Sequence, residues 1–368
     1  MSEAAEQIAL HTLHLNDQHM RSGATMKEQD GWAVPASYGD ELFEYAAVRE
    51  RGAGLIDLSS RGRFLVTGSE AVQFLNGLIT NDVKALSENQ WMPAAFPNVQ
   101  GRLLASVRVG RLKDGFLIDT EPATRQKVFQ TIQRFTLAGD FHVTDSTEKM
   151  ALLSIQGKQA NEIVRVVLGE SAAKLPKQGL AQARWLDHEL TVMRAPHTAE
   201  DGFDLLVDVE HAQPLWQALT EQGARPIGYN AFEILRVEAG VPRYGVDMDE
   251  TNVVTEALED AVSYSKGCYI GQEIIARIKY RGHVAKKLAG IVIDGTVKVD
   301  HNLKIASVNN DEIGRITSTT FSPHLGCTIA LGFVKYDYIA PGTELKIASA
   351  VGDLLARVTE LPFVGRND

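Results

Sequence analysis

The residues with the most reactive chemistry lie in one short segment, Lys266-Gly267-Cys268-Tyr269-Ile270-Gly271-Gln272-Glu273. Cys268 is a potential nucleophile, because the thiolate is the reactive form of cysteine. A helix is predicted directly after it, since four isoleucines repeat at helical spacing between positions 270 and 278. The positive end of that helix and the nearby Lys266 would both lower the pKa of the thiol. The segment therefore indicates an activated cysteine in a glycine-flanked turn, with burial as a small apolar side chain as the alternative.

Further polar candidates lie outside this segment. Glu200 stands in Thr198-Ala199-Glu200-Asp201-Gly202 before a predicted strand, so its carboxylate would lie at a loop edge. Arg236 shares one face of a predicted helix with Glu233, three residues earlier. Five basic residues lie between positions 277 and 287 with no acid among them: Arg277, Lys279, Arg281, Lys286 and Lys287. Such a run either binds a carboxylate-rich ligand or forms a solvated face.

The elements that must position these residues are predicted to be short strands and helices in alternation up to about residue 228. Hairpins mixed with crossing helices favour α+β layers over a doubly wound parallel sheet. After Lys287 the strand-like pieces are separated by turns and carry almost no helical periodicity, which predicts a barrel-like all-β domain. The predicted organisation is a helical arm at 1–34, two α+β subdomains at 35–284 and a C-terminal β-barrel domain at 285–368.

Composition excludes several classes of function. The net charge of −10 argues against general nucleic-acid or membrane binding. No apolar run approaches the length of a membrane span, and the start of the chain lacks the pattern of a signal peptide. Two cysteines, Cys268 and Cys327, form neither a disulfide framework nor a metal-binding spacing, which predicts a reduced, cytoplasmic protein. No metal site is predicted for His11, His14 and His19, because no cysteine or carboxylate completes their set.

The segment Lys266–Glu273 resembles the K-G-C-[FY]-x-G-Q-E signature of the YgfZ-type folate-binding proteins. These proteins assist the synthesis or repair of iron–sulfur clusters in enzymes such as radical tRNA-thiomethylating enzymes. Their wider superfamily includes the glycine-cleavage T-protein, an aminomethyltransferase. Other stretches similar to T-protein segments follow in order along the chain, at 38–40, 44–45, 54–59, 78–83, 194–204, 235–240 and 244–247.

The resemblance implies an α+β, T-protein-like cloverleaf of three domains around a central hole that holds tetrahydrofolate or a one-carbon derivative. It implies that Cys268 is the working thiol, that Glu200 binds the pterin and that Arg236 binds folate or holds Glu233. Six further residues of the signature are expected at the folate site: Lys266, Gly267, Tyr269, Gly271, Gln272 and Glu273. The implied partners are folate and client iron–sulfur enzymes, including radical tRNA-modifying enzymes, without nucleic acid, membrane or a bound metal.

One departure separates this sequence from the T-proteins. T-proteins carry G-G-[IL]-x-D-D, and the matching stretch here is Gly101-Arg102-Leu103-Leu104-Ala105-Ser106. With Ala105 and Ser106 in place of both aspartates, aminomethyl transfer loses its main catalytic carboxylate. The sequence therefore favours a folate-binding accessory protein over a folate-dependent aminomethyltransferase or methyltransferase, and it leaves open whether any reaction is catalysed. A protein that kept the fold and lost folate is the third possibility.

Overall fold

The computed structural model describes residues 10–365, except 135, 138, 298, 350 and 351. The first described elements are β1 (His11–Thr12), α1 (Asn16–Arg21), β2 (Thr25–Gln29) and β3 (Trp32–Ser37). The three strands form one sheet in the order β1-β3-β2. The prediction of a helical arm is therefore wrong for residues 10–34, while residues 1–9 lie outside the described residues. A turn with positive φ at Asp30 and Gly31 reverses the chain and pairs β2 with β3.

His19 explains how this N-terminal segment is attached to the rest of the protein. Its ring is fully buried, with Nε2 2.9 Å from Oδ2 of Asp57 and Nδ1 2.8 Å from the hydroxyl of Tyr38. Burial opposes ionisation of Asp57, but the interactions with His19 and the hydrogen bonds from Ser59 together outweigh it and lower the pKa of that carboxyl. The buried pair holds the segment against the sheet that contains Asp57.

The middle of the chain forms two α+β layers. Its elements are α2 (Glu41–Ala46), a π-helix (Ala47–Arg51), β4 (Ala53–Asp57), β5 (Gly62–Thr67), α3 (Ala71–Leu78), β6 (Trp91–Pro97), β7 (Leu103–Leu112), β8 (Gly115–Thr120), α4 (Arg125–Gln133), β9 (His142–Asp145), β10 (Met150–Gln156), α5 (Ala160–Leu168), α6 (Glu170–Ala173), β11 (Leu180–Trp185), β12 (His188–Arg194), β13 (Gly202–Asp208), α7 (Val209–Glu221), β14 (Ala224–Pro226), α8 (Tyr229–Glu238) and α9 (Gln272–Arg281). Short 3₁₀ turns lie at Pro122–Thr124, Val254–Glu256 and Glu259–Ala261.

Two sheets organise these elements. One has the strand order β11-β12-β13-β10-β4-β14, and the other has the order β6-β7-β8-β5-β9. All neighbouring strands are antiparallel except β14 and β4. Helices α5 and α7 pack on the first sheet and α4 on the second, each covering an apolar core. The predicted hairpin around Lys113-Asp114-Gly115 is present as the connection from β7 to β8.

The C-terminal part is a closed six-stranded barrel. Its strands are β15 (Lys286–Ile293), β16 (Lys304–Ser307), β17 (Glu312–Ser322), β18 (Cys327–Lys335), β19 (Glu344–Ser349) and β20 (Gly352–Thr359), with a 3₁₀ turn at Tyr336–Tyr338. The order is β15-β18-β17-β16-β19-β20, and pairing of β20 with β15 closes it. The prediction of an α+β fold with a C-terminal β-barrel is confirmed. The boundaries at 34/35 and 284/285 remain a prediction.

Hydroxyl groups of β17 join the barrel to the region before it. Thr317 and Ser318 each donate a hydrogen bond of 2.6 Å to the buried carboxylate of Asp247. Ser322 donates one of 2.5 Å to Glu238, which is also fully buried. These bonds compensate part of the cost of burying two carboxylates at the junction. No helix in the described part of the chain has the length and apolar character needed to cross a bilayer.

Candidate functional site

One cavity, the central cavity, has a free volume of about 60 Å³ and lies beside α8 and the segment that follows β8. The side chains that give it chemical character are Arg61, Glu121, His197, Tyr229, Phe232, Arg236 and Arg243. Three guanidinium groups therefore face one carboxylate among its described lining residues. Tyr229 and Phe232 meet edge to face, with ring centroids 6.0 Å apart, and supply an apolar wall. The arrangement suits an anionic ligand with a flat ring.

A network of buried charges supports one side of this cavity. Arg108 on β7 donates to Asp119 on β8 at 2.8 Å and to Asp204 on β13 at 2.6 Å, so it ties the two sheets together. Arg61 also binds Asp119, and its Nη1 donates to Glu121 at 2.7 Å. Burial opposes ionisation of Asp119, but the two guanidinium groups outweigh it and lower the pKa to about 2. The network fixes the position of Arg61 and Glu121 at the cavity.

His197 reaches the same network from the loop after β12. Its Nε2 lies 3.0 Å from both carboxylate oxygens of Asp204, and its backbone N–H donates to Gln156 at 2.8 Å. Burial opposes ionisation of Asp204, but His197 and Arg108 outweigh it and lower the pKa of that carboxyl. The ring of His197 is thereby held against the cavity, edge-on to Phe232.

Arg236 lies in the cavity wall and is almost fully paired. It donates to Asp247 at 2.6 Å, to Ser318 at 2.5 Å and also to Glu233, which in turn binds Arg243 at 3.2 Å. In the part of the chain that the structure describes, the buried Nε atoms of Arg236 and Arg243 have no hydrogen-bond partner. An unpaired buried donor costs about 1–3 kcal/mol, so oxygen atoms of a ligand would stabilise both.

Glu200 lies elsewhere. Its carboxylate accepts a hydrogen bond of 3.0 Å from Arg49, which stands on the π-helix and also donates to Glu238 at 2.7 Å. Glu200 is buried but does not line the cavity. Its expected contact with a pterin therefore stays a prediction, and in this structure Arg49 already donates a hydrogen bond to one of its two carboxylate oxygens.

The structure changes the interpretation of Lys266. Its ammonium group is buried and donates to the carbonyls of Asn76, Ile79 and Asn81 at 2.7, 2.8 and 2.7 Å, in the last turn of α3 and just after it. A lysine has three N–H donors, and all three are used here. Burial lowers the pKa of Lys266 to about 8. The expectation that this charge activates the thiol of Cys268 is not supported, because the ammonium caps a helix end instead.

Cys268 itself is exposed and lies four residues before the first residue of α9. The alternative of a buried packing residue is therefore wrong. Gly271 holds the turn between them: its φ is +78°, and an added Cβ would lie 2.4 Å from the carbonyl oxygen of Asn98. Only glycine fits that combination without strain. The thiol is thus presented to solvent on a loop that Lys266 fixes on one side and Gly271 on the other.

The other residues of the signature have mixed environments. Tyr269 is buried in an apolar cluster, and burial raises its pKa to about 12. Gln272 donates a long hydrogen bond of 3.4 Å to the carbonyl of Gly267, while Glu273 is exposed. An added Cβ at Gly267 would meet open space, so this glycine is not required by packing. These residues shape the loop around Cys268.

The predicted site residues fall into three separate places. Cys268 lines a surface cavity with Ser69, Gln73, Asn76 and Lys84, which shares no lining residue with the central cavity. Arg236 belongs to the central cavity, and Glu200 pairs with Arg49. Sequence reasoning missed the cavity residues Arg61, Glu121 and Tyr229. The signal that could have found Glu121 is the end of β8, where Asp119 and Glu121 follow the apolar run 116–118. No such local signal marks Arg61, which precedes β5.

The positions of the missing T-protein aspartates are now defined. Ala105 is fully buried in the core beneath β7, whereas Ser106 is half-buried on the opposite face of that strand. Neither residue is among the described lining residues of the cavity, whereas Glu121, which follows β8, is. The carboxylate in the cavity lining therefore comes from the end of β8 rather than from β7.

Comparisons with known proteins agree with this architecture. The GCVT N-terminal domain model matches residues 15–266, and the glycine cleavage T-protein C-terminal barrel domain model matches residues 286–365. The aminomethyltransferase of Rubrobacter xylanophilus is 33% identical over 96% of this chain and 94% of its own length. That of Symbiobacterium thermophilum is 32% identical, over 99% and 98%. The crystal structure of glycine cleavage system aminomethyltransferase T from Bartonella henselae superposes with a TM-score of 0.90, at 24% identity, over 96% of this chain and 98% of that one, which shows the common fold. The chain belongs to the glycine cleavage T-protein family.

Proposed function

We propose that this protein binds a reduced folate in the central cavity and acts as a YgfZ-type accessory protein for iron–sulfur enzymes, with Cys268 as the working thiol. Membership of the T-protein family supports folate as the ligand. The observation that carries the accessory role is the pairing of an exposed cysteine, in a signature of this type, with the loss of both T-protein aspartates.

The lining of the central cavity fits a folate in its polar and aromatic character. The unpaired Nε–H groups of Arg236 and Arg243 would donate hydrogen bonds to carbonyl or carboxylate oxygens, and Tyr229 and Phe232 would contact a flat ring. A folate supplies a nitrogen that carries a one-carbon unit. The free volume of about 60 Å³ holds only a few water molecules, so lining side chains must move to admit a pteridine ring.

Aminomethyl transfer is the second candidate, and the comparisons favour it. The curated relatives that align over nearly the whole chain are named aminomethyltransferases. Glu121 gives this candidate a physical basis, because it places a carboxylate in the lining of the cavity. A carboxylate in that position could hold an amine or accept its proton.

Two assays separate the candidates. The first measures formation of methylene-tetrahydrofolate from a lipoylated aminomethyl carrier protein, and turnover there would establish the transferase and overturn the accessory role. The second measures a cluster-dependent activity, such as tRNA thiomethylation, in cells whose own copy of the gene is replaced by the Cys268→Ser variant. We expect no turnover in the first assay and impaired thiomethylation in the second. Wild-type thiomethylation by the variant would remove the thiol from the mechanism.

Folate binding itself makes a prediction about Arg243. The Arg243→Met variant should bind tetrahydrofolate about 10-fold or more weakly in anaerobic titration calorimetry, because a charged hydrogen bond to the ligand contributes about 1.5–3 kcal/mol. The exposed Arg184→Met change is the matched control and should leave the affinity unchanged. Equal affinities for the two variants would place folate outside the central cavity. Glu200→Gln tests the pterin contact separately, and an unchanged affinity would limit Glu200 to its pair with Arg49.

A further inference from the structure

We propose a second ligand site, which binds the phosphate group of a small phosphate ester, between α9 and the C-terminal barrel. A cavity of about 310 Å³ lies there, lined by Thr255, Glu259, Tyr264, Lys279, Lys287 and Tyr336 among others. It shares no lining residue with the central cavity. The proposal is therefore independent of the folate-binding function.

Two lysines at this cavity share one carboxylate, which an anionic ligand could replace. Lys279 on α9 and Lys287 on β15 donate to the same carboxylate, Glu259, at 3.2 and 2.8 Å. All three side chains are between 38% and 46% exposed, so these ion pairs are weak and open readily. Two ammonium groups against one carboxylate leave a local positive charge in a chain of net charge −10. Glu259 thus occupies the position that an anionic ligand would take.

Thr255 provides a second, independent indication of a ligand. Its side chain is only 7% exposed, it lines this cavity, and its Oγ1 has no hydrogen-bond partner in the described part of the chain. A buried hydroxyl without a partner is unfavourable. An oxygen atom of a bound ligand would accept its hydrogen bond while the two lysines bind the same ligand.

The number of charges favours phosphate over a carboxylate. A monocarboxylate would only replace Glu259 by an equivalent group. A phosphate monoester carries a charge of about −1.5 to −2 near neutral pH, so it balances both ammonium groups at once. It also has three acceptor oxygens, enough for Lys279, Lys287 and Thr255 together. The volume beyond these contacts leaves room for the organic part of an ester.

The test is titration calorimetry of the full chain with inorganic phosphate, at constant ionic strength, with acetate as the monoanionic comparison. Wild type should bind phosphate saturably and more tightly than acetate. Glu259→Gln should bind phosphate at least fivefold more tightly, because the competing carboxylate is gone. Thr255→Val should bind it about threefold to tenfold more weakly, as expected for one lost hydrogen bond.

The control is Glu312→Gln, which removes the carboxylate of a comparable exposed pair with Lys304 on the barrel, 2.7 Å apart, and should bind like wild type. Absence of saturable heat with both wild type and Glu259→Gln would overturn the proposal. So would a Glu259→Gln or Thr255→Val protein that is folded and binds phosphate as Glu312→Gln does. Acetate binding as tight as phosphate would overturn the assignment of the ligand as phosphate.

Discussion

Replacing Arg108 by Met should lower the free energy of unfolding by about 3–5 kcal/mol, measured by urea denaturation at pH 7. The reason is that Arg108 is the shared partner of two fully buried carboxylates, Asp119 and Asp204, on different sheets. Met keeps much of the apolar stem but takes the guanidinium partner away from Asp204, which keeps its contact with the His197 ring. Removal of one partner from a buried charge network exposes the full cost of burying the other.

A matched control separates this effect from loss of any arginine. Arg165→Met removes an exposed i, i+3 pair with Glu162, so it should change the free energy of unfolding much less than Arg108→Met does. Equal destabilisation by the two changes would contradict the role of the network.

The pH dependence of the free energy of unfolding tests the same network independently. The pKa values of Asp119 and Asp204 lie below their ordinary value of 3.8 in the folded protein. Their stabilisation is therefore present above about pH 4 and is lost as the pH falls toward the folded value, about 2 for Asp119. Wild type should lose stability steeply over this window. The Arg108→Met protein should have a lower free energy of unfolding at pH 7, and that free energy should fall less steeply with decreasing pH.

Replacing Lys266 by Met should lower the free energy of unfolding by about 2–4 kcal/mol, because three carbonyls lose a charged donor while they remain in a mostly buried position. Cys268→Ser should change stability by no more than about 0.5 kcal/mol, because the thiol is exposed. Chemical denaturation of both variants measures the difference. Lysine and cysteine of the same signature would then have different tasks, one structural and one chemical.

The reactivity of the thiol completes this test. The rate of alkylation of Cys268 by iodoacetamide across pH reports its thiolate fraction. We expect folded Lys266→Met protein to follow the wild-type profile, because the ammonium group is bound to carbonyls and not to the thiol. A stable Lys266→Met protein with a clearly raised thiol pKa would show instead that Lys266 activates Cys268. Lys174→Met, at a lysine whose side chain is 77% exposed, is the stability control.

Local periodicity explains which parts of the fold were predictable. The strands at 62–67, 103–112 and 115–120 and the strand-rich C-terminal part follow from residues that alternate or from apolar runs separated by turns. The prediction for the N-terminal segment failed, because His11, His14 and His19 have helical spacing but only Asn16–Arg21 is helical among the residues described there. The positive φ of Asp30 and Gly31 and the distant partner Asp57 decided that segment, and neither is visible as a period.

The candidate site was predictable only where a motif is continuous in sequence. The exposed Cys268 and the helix after it could be predicted from the continuous stretch 266–278. Arg61, Arg108, Asp119 and Asp204 could not, because they meet only after two sheets have packed against each other. The misassigned role of Lys266 has the same origin, since its three acceptors lie about 190 positions earlier in the chain.

The hydroxyl-to-carboxylate bonds between β17 and the region before it bear on cooperativity. Asp247 and Glu238 are both buried, and β17 supplies donors to both carboxylates. If the barrel melted first, these carboxylates would lose donors inside a partly folded protein, which is a high-energy intermediate. The barrel and the region before it should therefore unfold in a single step, although they match separate domain models. A substitution deep in the barrel should also change the structure of the central cavity, because Asp247 contacts β17 and is hydrogen-bonded to Arg236.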